Sequence, residues 1–330
     1  MTRCRLDGLK PSGLVSFVGR KTMKILKSVL VASATMIAAS AASAQTIGYI
    51  TKSATNSGWV MINGGAAKAA EEFGVELITV GPAFQGDLAS QLEVFNNLVA
   101  AGVDAIGIAP VDSAGVADAV QAAMDAGIPV VAIDTGVSGA DVTSFVATDN
   151  LAVATIQGEQ ACGLIDNGDA VIYVTGNQAQ STGQERRDGF YAGFEGSCSD
   201  SEIVVVPTEW NGTQAQEGVA AVLATRSDIA MIVNAWDGGT MGAKAALQNA
   251  GYSPGDVKLV GFDGATDAIL AMDEGWVHVD TAQMLEGMGY HGIRIAAEAA
   301  NGNDVPGRYD TGTFLVTPDT SAEYKALIGM

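Results

Sequence analysis

Charged, amide and tryptophan side chains occur in the segments that follow the apolar runs of this 330-residue sequence. A carboxylate can accept two hydrogen bonds from neighbouring hydroxyl groups, and an arginine fork can donate two. Indole rings stack on the C–H faces of a small ring and bury a large area with little loss of entropy. These properties predict noncovalent capture of a small polar molecule by a set of eight side chains: Asn56, Trp59, Asp134, Arg186, Trp210, Trp236, Asp263 and Gln283.

Each of these residues also has a structural interpretation. Asp134 and Asp263 could cap the helices that follow them, a use that favours aspartate. Arg186 could lie on the surface, and Trp210 and Trp236 could belong to a core. The binding interpretation depends on the placement of the whole set at strand ends, which capping or packing of single residues would not produce.

The sequence lacks the patterns that catalysis and cofactor binding require. It has no Ser-His-Asp arrangement, no phosphate-binding glycine loop and no G-x-G-x-x-G turn. His278 and His291 stand alone, and nothing has metal-ligand spacing. We therefore expect a binding protein without enzymatic activity and without a cofactor.

Short β-rich runs alternate with longer Ala-rich runs of helical character along the chain. The apolar runs are continuous, as in parallel strands that are covered on both faces. Such alternation is typical of doubly wound α/β sheets. The predicted strands are 46–50, 75–80, 105–109, 129–133, 144–147, 170–174, 203–206, 229–233, 258–262 and 277–282. The predicted helices are 59–73, 87–101, 113–126, 151–165, 184–195, 212–225 and 240–250.

These strands are too many for one sheet, and the weakly structured stretch 135–150 divides them into two similar blocks. We predict two doubly wound parallel-sheet lobes that face each other across a cleft. Ligands of such sheets bind outside the carboxyl ends of the strands. The eight candidate residues would then converge in the cleft.

The N-terminal 44 residues predict export. From Met23, two lysines precede a short apolar run that ends in Ala42-Ser43-Ala44. A basic region, an apolar region and an A-x-A site form a secretory signal peptide. We expect translation to start at Met23, with residues 1–22 as an upstream extension, and cleavage after Ala44. No cysteine follows that site, so we expect a freely soluble protein in the periplasm.

Charge and cysteine content narrow the partners further. Residues 1–44 hold seven of the 17 basic and one of the 37 acidic residues, which leaves 10 basic against 36 acidic residues and a net charge of −26. Such a surface repels nucleic acid, so no nucleic-acid partner is expected.

Two cysteines, Cys162 and Cys198, remain after removal of the signal peptide. In an oxidising compartment they form either one disulfide or two separate buried thiols.

Several segments, in their order and spacing, resemble the periplasmic sugar-binding proteins related to the ribose- and galactose-binding proteins, which have the type I periplasmic binding fold. The resemblance extends from Thr46 to about Val316. It is carried by the segments 101–106 (AGVDAI), 127–131 (GIPVV), 147–150 (ATDN), 183–190 (GQERRDGF) and 260–264 (VGFDG).

The resemblance implies a role for most of the candidate residues. The positions that contact sugar hydroxyls in this family correspond to Asn56, Asp134, Arg186, Asp263 and Gln283, and its ring-stacking aromatics correspond to Trp59 and Trp210. The sequence departs from the ribose-type pattern at Trp236, where the family commonly has Asn, and at Thr135, where ribose binders have Arg. These departures make a polyol, a nucleoside or a modified sugar alternatives to a simple sugar.

The resemblance also implies how the lobes are joined. Three hinge crossings are expected near 148–150, 282–283 and 310–312. The N-terminal lobe would comprise 45–148 and 283–310, and the C-terminal lobe 149–282 and 311–330. A ligand that contacts both lobes favours their closure.

We therefore expect a monomeric solute-binding protein that delivers its ligand to an inner-membrane ABC permease. The alternative is a periplasmic receptor that presents the ligand to a chemoreceptor or a sensor kinase. A repressor with the same fold is excluded by the export signal, by the absence of a helix-turn-helix pattern and by the acidic charge.

Overall fold

Continuous apolar strands form two six-stranded sheets in a computed structural model, which describes residues 44–330. The predicted signal peptide and upstream extension lie outside the described residues. In order across the first sheet, the strands are Arg308–Asp310, Ser144–Ala147, Val130–Ile133, Ala105–Ile108, Thr46–Ile50 and Glu76–Val80. In order across the second sheet, they are Thr313–Val316, Val277–Gln283, Lys258–Asp263, Ile229–Asn234, Ala170–Val174 and Ile203–Val206. The prediction of two doubly wound α/β lobes is therefore confirmed.

The first lobe contains the elements β1 (Thr46–Ile50), α1 (Ser57–Phe73), β2 (Glu76–Val80), α2 (Leu88–Ala101), β3 (Ala105–Ile108), α3 (Ala117–Asp125), β4 (Val130–Ile133), β5 (Ser144–Ala147), α9 (Leu285–Ala300) and β11 (Arg308–Asp310). The second lobe contains α4 (Asn150–Cys162), β6 (Ala170–Val174), α5 (Ser181–Glu195), β7 (Ile203–Val206), α6 (Gly212–Leu223), β8 (Ile229–Asn234), α7 (Asp237–Asn249), β9 (Lys258–Asp263), α8 (Thr266–Asp273), β10 (Val277–Gln283), β12 (Thr313–Val316) and α10 (Ser321–Ile328).

One strand departs from the predicted parallel sheets. β12 pairs with β10 in antiparallel register, with Thr313 opposite Gln283. The reason is the direction of the chain. β10 ends at the cleft, whereas β12 enters the second lobe from the cleft and runs away from it. Gln283 is also the last residue of β10, so the chain leaves the second sheet one residue later than the sequence suggested.

The strands and the inner faces of the helices bury the apolar side chains in a core within each lobe. Glycine allows the closest helix packing in the first lobe, because a Cβ atom at Gly65 of α1 would lie 1.9 Å from the carbonyl oxygen of Glu286 in α9. A Cβ atom at Gly289 would lie 1.8 Å from the carbonyl oxygen of Ile62. This packing fixes the start of α1 and the residues that precede α9, and both lie at the cleft.

A disulfide joins two helices of the second lobe. Cys162 is the last residue of α4, and Cys198 follows α5; their Cα atoms are 5.8 Å apart. α4 begins at Asn150, beside the cleft, and its 13 residues span about 20 Å. The disulfide therefore lies at the end of the second lobe that is remote from the cleft.

No helix within residues 44–330 has both the length and the apolar character that a membrane span needs.

Candidate functional site

A pocket lies between the two lobes, at the carboxyl ends of the strands. The structure brings all eight residues of the candidate set to its wall: Asn56, Trp59, Asp134, Arg186, Trp210, Trp236, Asp263 and Gln283. The wall also contains polar residues outside that set: Lys52, Gln85, Gln180 and Thr182. The structure thus joins polar residues up to 231 positions apart in the sequence, from Lys52 to Gln283, in one site.

Asp134 follows β4 and makes an ion pair with a lysine. Lys52 Nζ donates to Asp134 Oδ2 at 3.0 Å, and the hydroxyl of Thr135 donates to the same oxygen at 2.7 Å. Burial opposes ionisation of Asp134, but the charges of Lys52 and Arg186 outweigh it and hold the pKa of Asp134 below its usual value. Burial lowers the pKa of Lys52, against the raising effect of Asp134.

A second ion pair is formed at the end of β9 in the other lobe. Arg186 Nη1 donates to Asp263 Oδ1 at 3.1 Å, and Gln283 Nε2 donates to the same oxygen at 2.7 Å. Arg186 itself is fixed by Asn150 Oδ1 and by the carbonyl oxygen of Ala235. Burial raises the pKa of Asp263, whereas the charge of Arg186 and the hydrogen bond from Gln283 act in the opposite direction.

Neither aspartate caps a helix, so the structural alternative for this pair does not hold. Asp134 and Asp263 have φ angles of 67° and 125°, which non-glycine residues rarely adopt. The N-cap of α8, the helix that follows Asp263, is Ala265 and makes no side-chain hydrogen bond. Both carboxylates instead bind cations at the cleft.

Each carboxylate leaves one oxygen for a ligand. Within residues 44–330, no hydrogen bond reaches Asp134 Oδ1 or Asp263 Oδ2, and the two side chains are 11% and 15% exposed. Ionised carboxylates are strong acceptors for hydroxyl groups. The cleft therefore presents two fixed acceptors, one from each lobe.

Two tryptophans from the second lobe form one wall of the pocket. The rings of Trp210 and Trp236 are perpendicular, with centroids 5.3 Å apart. Trp236 is 3% exposed, and its ring lies on Gly238 and Gly239 at the start of α7. Trp210 is half-buried, and its Nε1 donates to Gln180 Oε1 at 2.9 Å. These rings provide apolar surface beside the charged groups.

The first lobe contributes the beginning of α1. Asn56 Oδ1 accepts a hydrogen bond from the backbone nitrogen of Trp59, so Asn56 caps the helix while it lines the cleft. Trp59 is buried, and Lys52 Nζ lies 5.5 Å from the centre of its ring. The capping bond leaves the amide nitrogen of Asn56 as its available donor.

Lys52 and Gln180 are the principal pocket residues outside the candidate set. The Lys52 ammonium group donates to Asp134 Oδ2, Thr135 Oγ1 and Gln180 Oε1. Lys52 lies two residues after β1, and Asp134 and Asp263 were identified by the same kind of position at the end of a strand. Gln180, just before α5, has no corresponding signal, because nothing in its sequence neighbourhood indicates that its side chain crosses the cleft.

The family follows from comparison with known proteins. Residues 47–304 match the family model described as a periplasmic binding protein domain. The chain belongs to the periplasmic binding protein family. The resemblance to type I periplasmic sugar-binding proteins is thereby confirmed.

Three relatives illustrate the similarity. The ribose import binding protein of Salmonella typhimurium is 29% identical over 296 residues, which cover 90% of this chain and 98% of that protein. A solute-binding protein of an ABC transporter from Mycobacterium smegmatis, solved with bound glycerol, is 30% identical; the match covers 87% of this chain and 98% of that one, with a TM-score of 0.79. A solute-binding protein from Bacillus halodurans, solved with bound myo-inositol, is 27% identical, with coverages of 86% and 97% and a TM-score of 0.79.

Proposed function

We propose that this protein is the exported solute-binding component of an ABC importer and that it captures a sugar or a sugar-like polyol between its lobes. The observation that carries the proposal is the pair of carboxylates in the cleft. Asp134 and Asp263 come from different lobes, each is fixed by a cation, and each keeps one oxygen without a hydrogen bond from residues 44–330. Hydroxyl groups on two edges of one small molecule are suited to these acceptors.

The charges in the cleft favour a neutral ligand. Lys52 balances Asp134, and Arg186 balances Asp263. A charged ligand would leave a net charge in a site where water is largely excluded, and such a charge is costly. Sugars and polyols satisfy the free oxygens without adding charge.

The tryptophans favour a ligand with one apolar face. Trp59 lies on the first lobe, and Trp210 and Trp236 lie on the second. The C–H groups of a sugar or cyclitol ring would pack on indole surfaces while its hydroxyl groups reach the carboxylates. Trp236 stands where the family commonly has Asn, so we propose that the ligand has an apolar group at that point. Relatives with bound glycerol and myo-inositol support a search that extends beyond aldoses.

Lobe closure would couple capture to transport. We propose that the lobes are formed by 45–148 with 284–310 and by 149–283 with 311–330, with three hinge crossings between them. The links between β5 and α4, between β10 and α9 and between β11 and β12 are short, in support of this division. A ligand bound by both carboxylates would contact the closed state more extensively than the open state. An inner-membrane permease would then recognise the closed form of a monomer in the periplasm.

A thermal-shift screen tests the proposal. The panel contains ribose, allose, other pentoses and hexoses, glycerol, myo-inositol and nucleosides. Since a ligand at 100 times its Kd stabilises the folded state by about 2.7 kcal/mol, binding raises the unfolding midpoint. We expect at least one neutral polyhydroxylated compound to do so for the wild type and for Asp141→Ala, an exposed control, but not for Asp263→Ala. A raised midpoint with none of these compounds, or an equal rise for Asp263→Ala, would contradict the proposal.

A further inference from the structure

Two further aspartates are buried behind Asp263 in the second lobe. Asp237 is the first residue of α7, and Asp280 lies within β10. They are 1% and 0% exposed. One oxygen of each, Asp237 Oδ1 and Asp280 Oδ2, has no hydrogen-bond donor among residues 44–330. Buried carboxylates without a partner are costly, so this pair needs a physical explanation.

The two unpartnered oxygens face each other above Gly261. A Cβ atom at Gly261 would lie 2.4 Å from Asp280 Oδ2 and 2.7 Å from Asp237 Oδ1, so both oxygens border the space that a side chain would fill. Two ionised oxygens in such a place would repel each other strongly. A proton between them converts the repulsion into a hydrogen bond.

The other two oxygens hold the loop that follows Asp263. Asp280 Oδ1 accepts from the backbone nitrogen of Gly264 at 2.9 Å, and Asp237 Oδ2 accepts from that of Ala265 at 2.7 Å. The hydroxyl of Tyr324 donates to the carbonyl oxygen of Gly264 at 2.9 Å. Asp263 has a φ angle of 125°, which needs such support from its surroundings.

The groups that face the pair are acidic. They are Asp263 at the end of β9, Asp267 in α8 and the Tyr324 phenol in α10, whereas Arg186 of α5 is bound to Asp263. Burial, followed by the neighbouring carboxylates, raises the pKa of Asp237 well above its usual range. Burial likewise raises the pKa of Asp280 to about 7. These surroundings favour a retained proton.

We propose that Asp237 and Asp280 share a proton around neutral pH and that this protonated pair positions the loop that presents Asp263 to the ligand. The shared proton is independent of ligand identity. Only its effect on affinity rests on the proposed function, because that effect requires Asp263 to contact the ligand.

The shared proton makes folding stability depend on pH. The pair binds protons more tightly in the folded chain than in the unfolded chain, where an aspartate has a pKa of about 3.9. The stabilisation is therefore fully present below that value and is lost as the pH rises through the folded-state pKa values. Stability should fall progressively from about pH 5 to pH 8.

Asp280→Asn replaces the proton with a permanent donor. Its side-chain oxygen can accept from the Gly264 nitrogen, and its amide can donate to Asp237 Oδ1. We expect this variant to lose the decline in stability above about pH 5 and to keep ligand affinity within about twofold at neutral pH. Asp280→Ala leaves the Gly264 nitrogen and Asp237 without partners, so its affinity should fall about tenfold or more. Asp141→Asn makes the same change at an exposed position and should behave like the wild type.

Infrared spectroscopy of the unliganded protein detects the proton directly. At about pH 7, where an isolated aspartate is ionised, the wild type and Asp141→Asn should show a protonated-carboxyl band that Asp280→Asn lacks. Absence of this band from the wild type would overturn the proposal. The proposal would also be overturned if the stability of Asp280→Asn decreased with rising pH as much as the stability of the wild type. If Asp280→Asn fails to fold, Asp237→Asn provides the same test from the other side of the pair. A failed ligand screen would leave these measurements unaffected, so the two proposals can fail separately.

Discussion

Lys52 Nζ in the first lobe lies 2.6 Å from Gln180 Oε1 in the second lobe. The amide nitrogen of the same Gln180 side chain also contacts the first lobe, because Nε2 donates to the carbonyl oxygen of Val111 at 3.1 Å. The hydroxyl of Ser113 accepts from the backbone nitrogen of Ser181 at 3.0 Å. These contacts join the two lobes directly, so they stabilise the arrangement of the lobes seen in this structure.

Gln180→Ala should therefore favour the open form of the unliganded protein. Loss of a hydrogen bond to a charged group costs roughly 1.5–3 kcal/mol, which corresponds to a ten- to hundredfold shift between open and closed forms. Small-angle X-ray scattering should show a larger radius of gyration for this variant than for the wild type. Gln184→Ala, which removes an exposed amide within α5, is the matched control. Equal radii for Gln180→Ala and the wild type would show that the contacts do not hold the lobes together.

Ligand affinity should fall when the solution is acidified. The ligand is expected to bind ionised Asp263, and burial raises the pKa of this carboxyl above the usual aspartate value. Affinity should thus decrease as the pH falls from neutral through the raised pKa of Asp263, before an ordinary aspartate would be protonated. Calorimetric titrations between about pH 4 and pH 8 test this expectation. Asp263→Asn should bind weakly and lose this pH dependence. If the affinity of this variant still decreased at low pH as in the wild type, another group would be responsible for the decrease.

Tryptophan fluorescence should report occupation of the cleft. Three of the four tryptophans line the pocket, and one of these, Trp236, also belongs to the core of the second lobe. Trp276 lies in that core and does not line the pocket. Trp276→Phe should retain the ligand-induced change in emission, and Trp210→Phe and Trp236→Phe should each reduce it. The measurement is a fluorescence titration with a compound that calorimetry shows to bind. Loss of the change in Trp276→Phe alone would contradict the position of the ligand.

The disulfide should contribute to stability without contributing to affinity. Cys162 and Cys198 are separated by 36 positions. A disulfide that closes a loop of this length lowers the entropy of the unfolded chain and stabilises the folded state by roughly 3–4 kcal/mol. Chemical denaturation of the Cys162→Ser, Cys198→Ser double variant should show a loss of this order. Its affinity should match that of the wild type, because the disulfide is remote from the cleft. A large loss of affinity in the folded double variant would contradict this separation of roles.

The sequence predicted ten of the twelve strands found in residues 44–330, because buried parallel strands are continuous apolar runs; the short strands β11 and β12 were not predicted. The predicted ranges of β5, β6 and β7 coincide with those in the structure. The predicted start of α7 was wrong, since the helix begins at Asp237 and not at 240. Two glycines disfavour a helix there, but they provide the space in which the Trp236 ring lies. Packing against a distant side chain decided that boundary.

Local sequence pattern also predicted only part of the cleft. A polar residue after a buried strand is recognisable from local pattern, and this pattern identified Asp134 and Asp263. The contacts between Lys52 and Gln180 and between Asp237 and Asp280 join residues 128 and 43 positions apart. Such contacts depend on the relative placement of whole elements, which a single sequence does not specify.

The central claim is that one neutral ligand binds to carboxylates from both lobes. Its most direct test is calorimetric titration of the ligand found in the screen into the wild type, Asp134→Asn and Asp263→Asn. Each substitution removes a charged acceptor, so each should weaken binding by on the order of ten- to a hundredfold, while Asp141→Asn leaves it unchanged. Wild-type affinity in either cleft variant would contradict the claim.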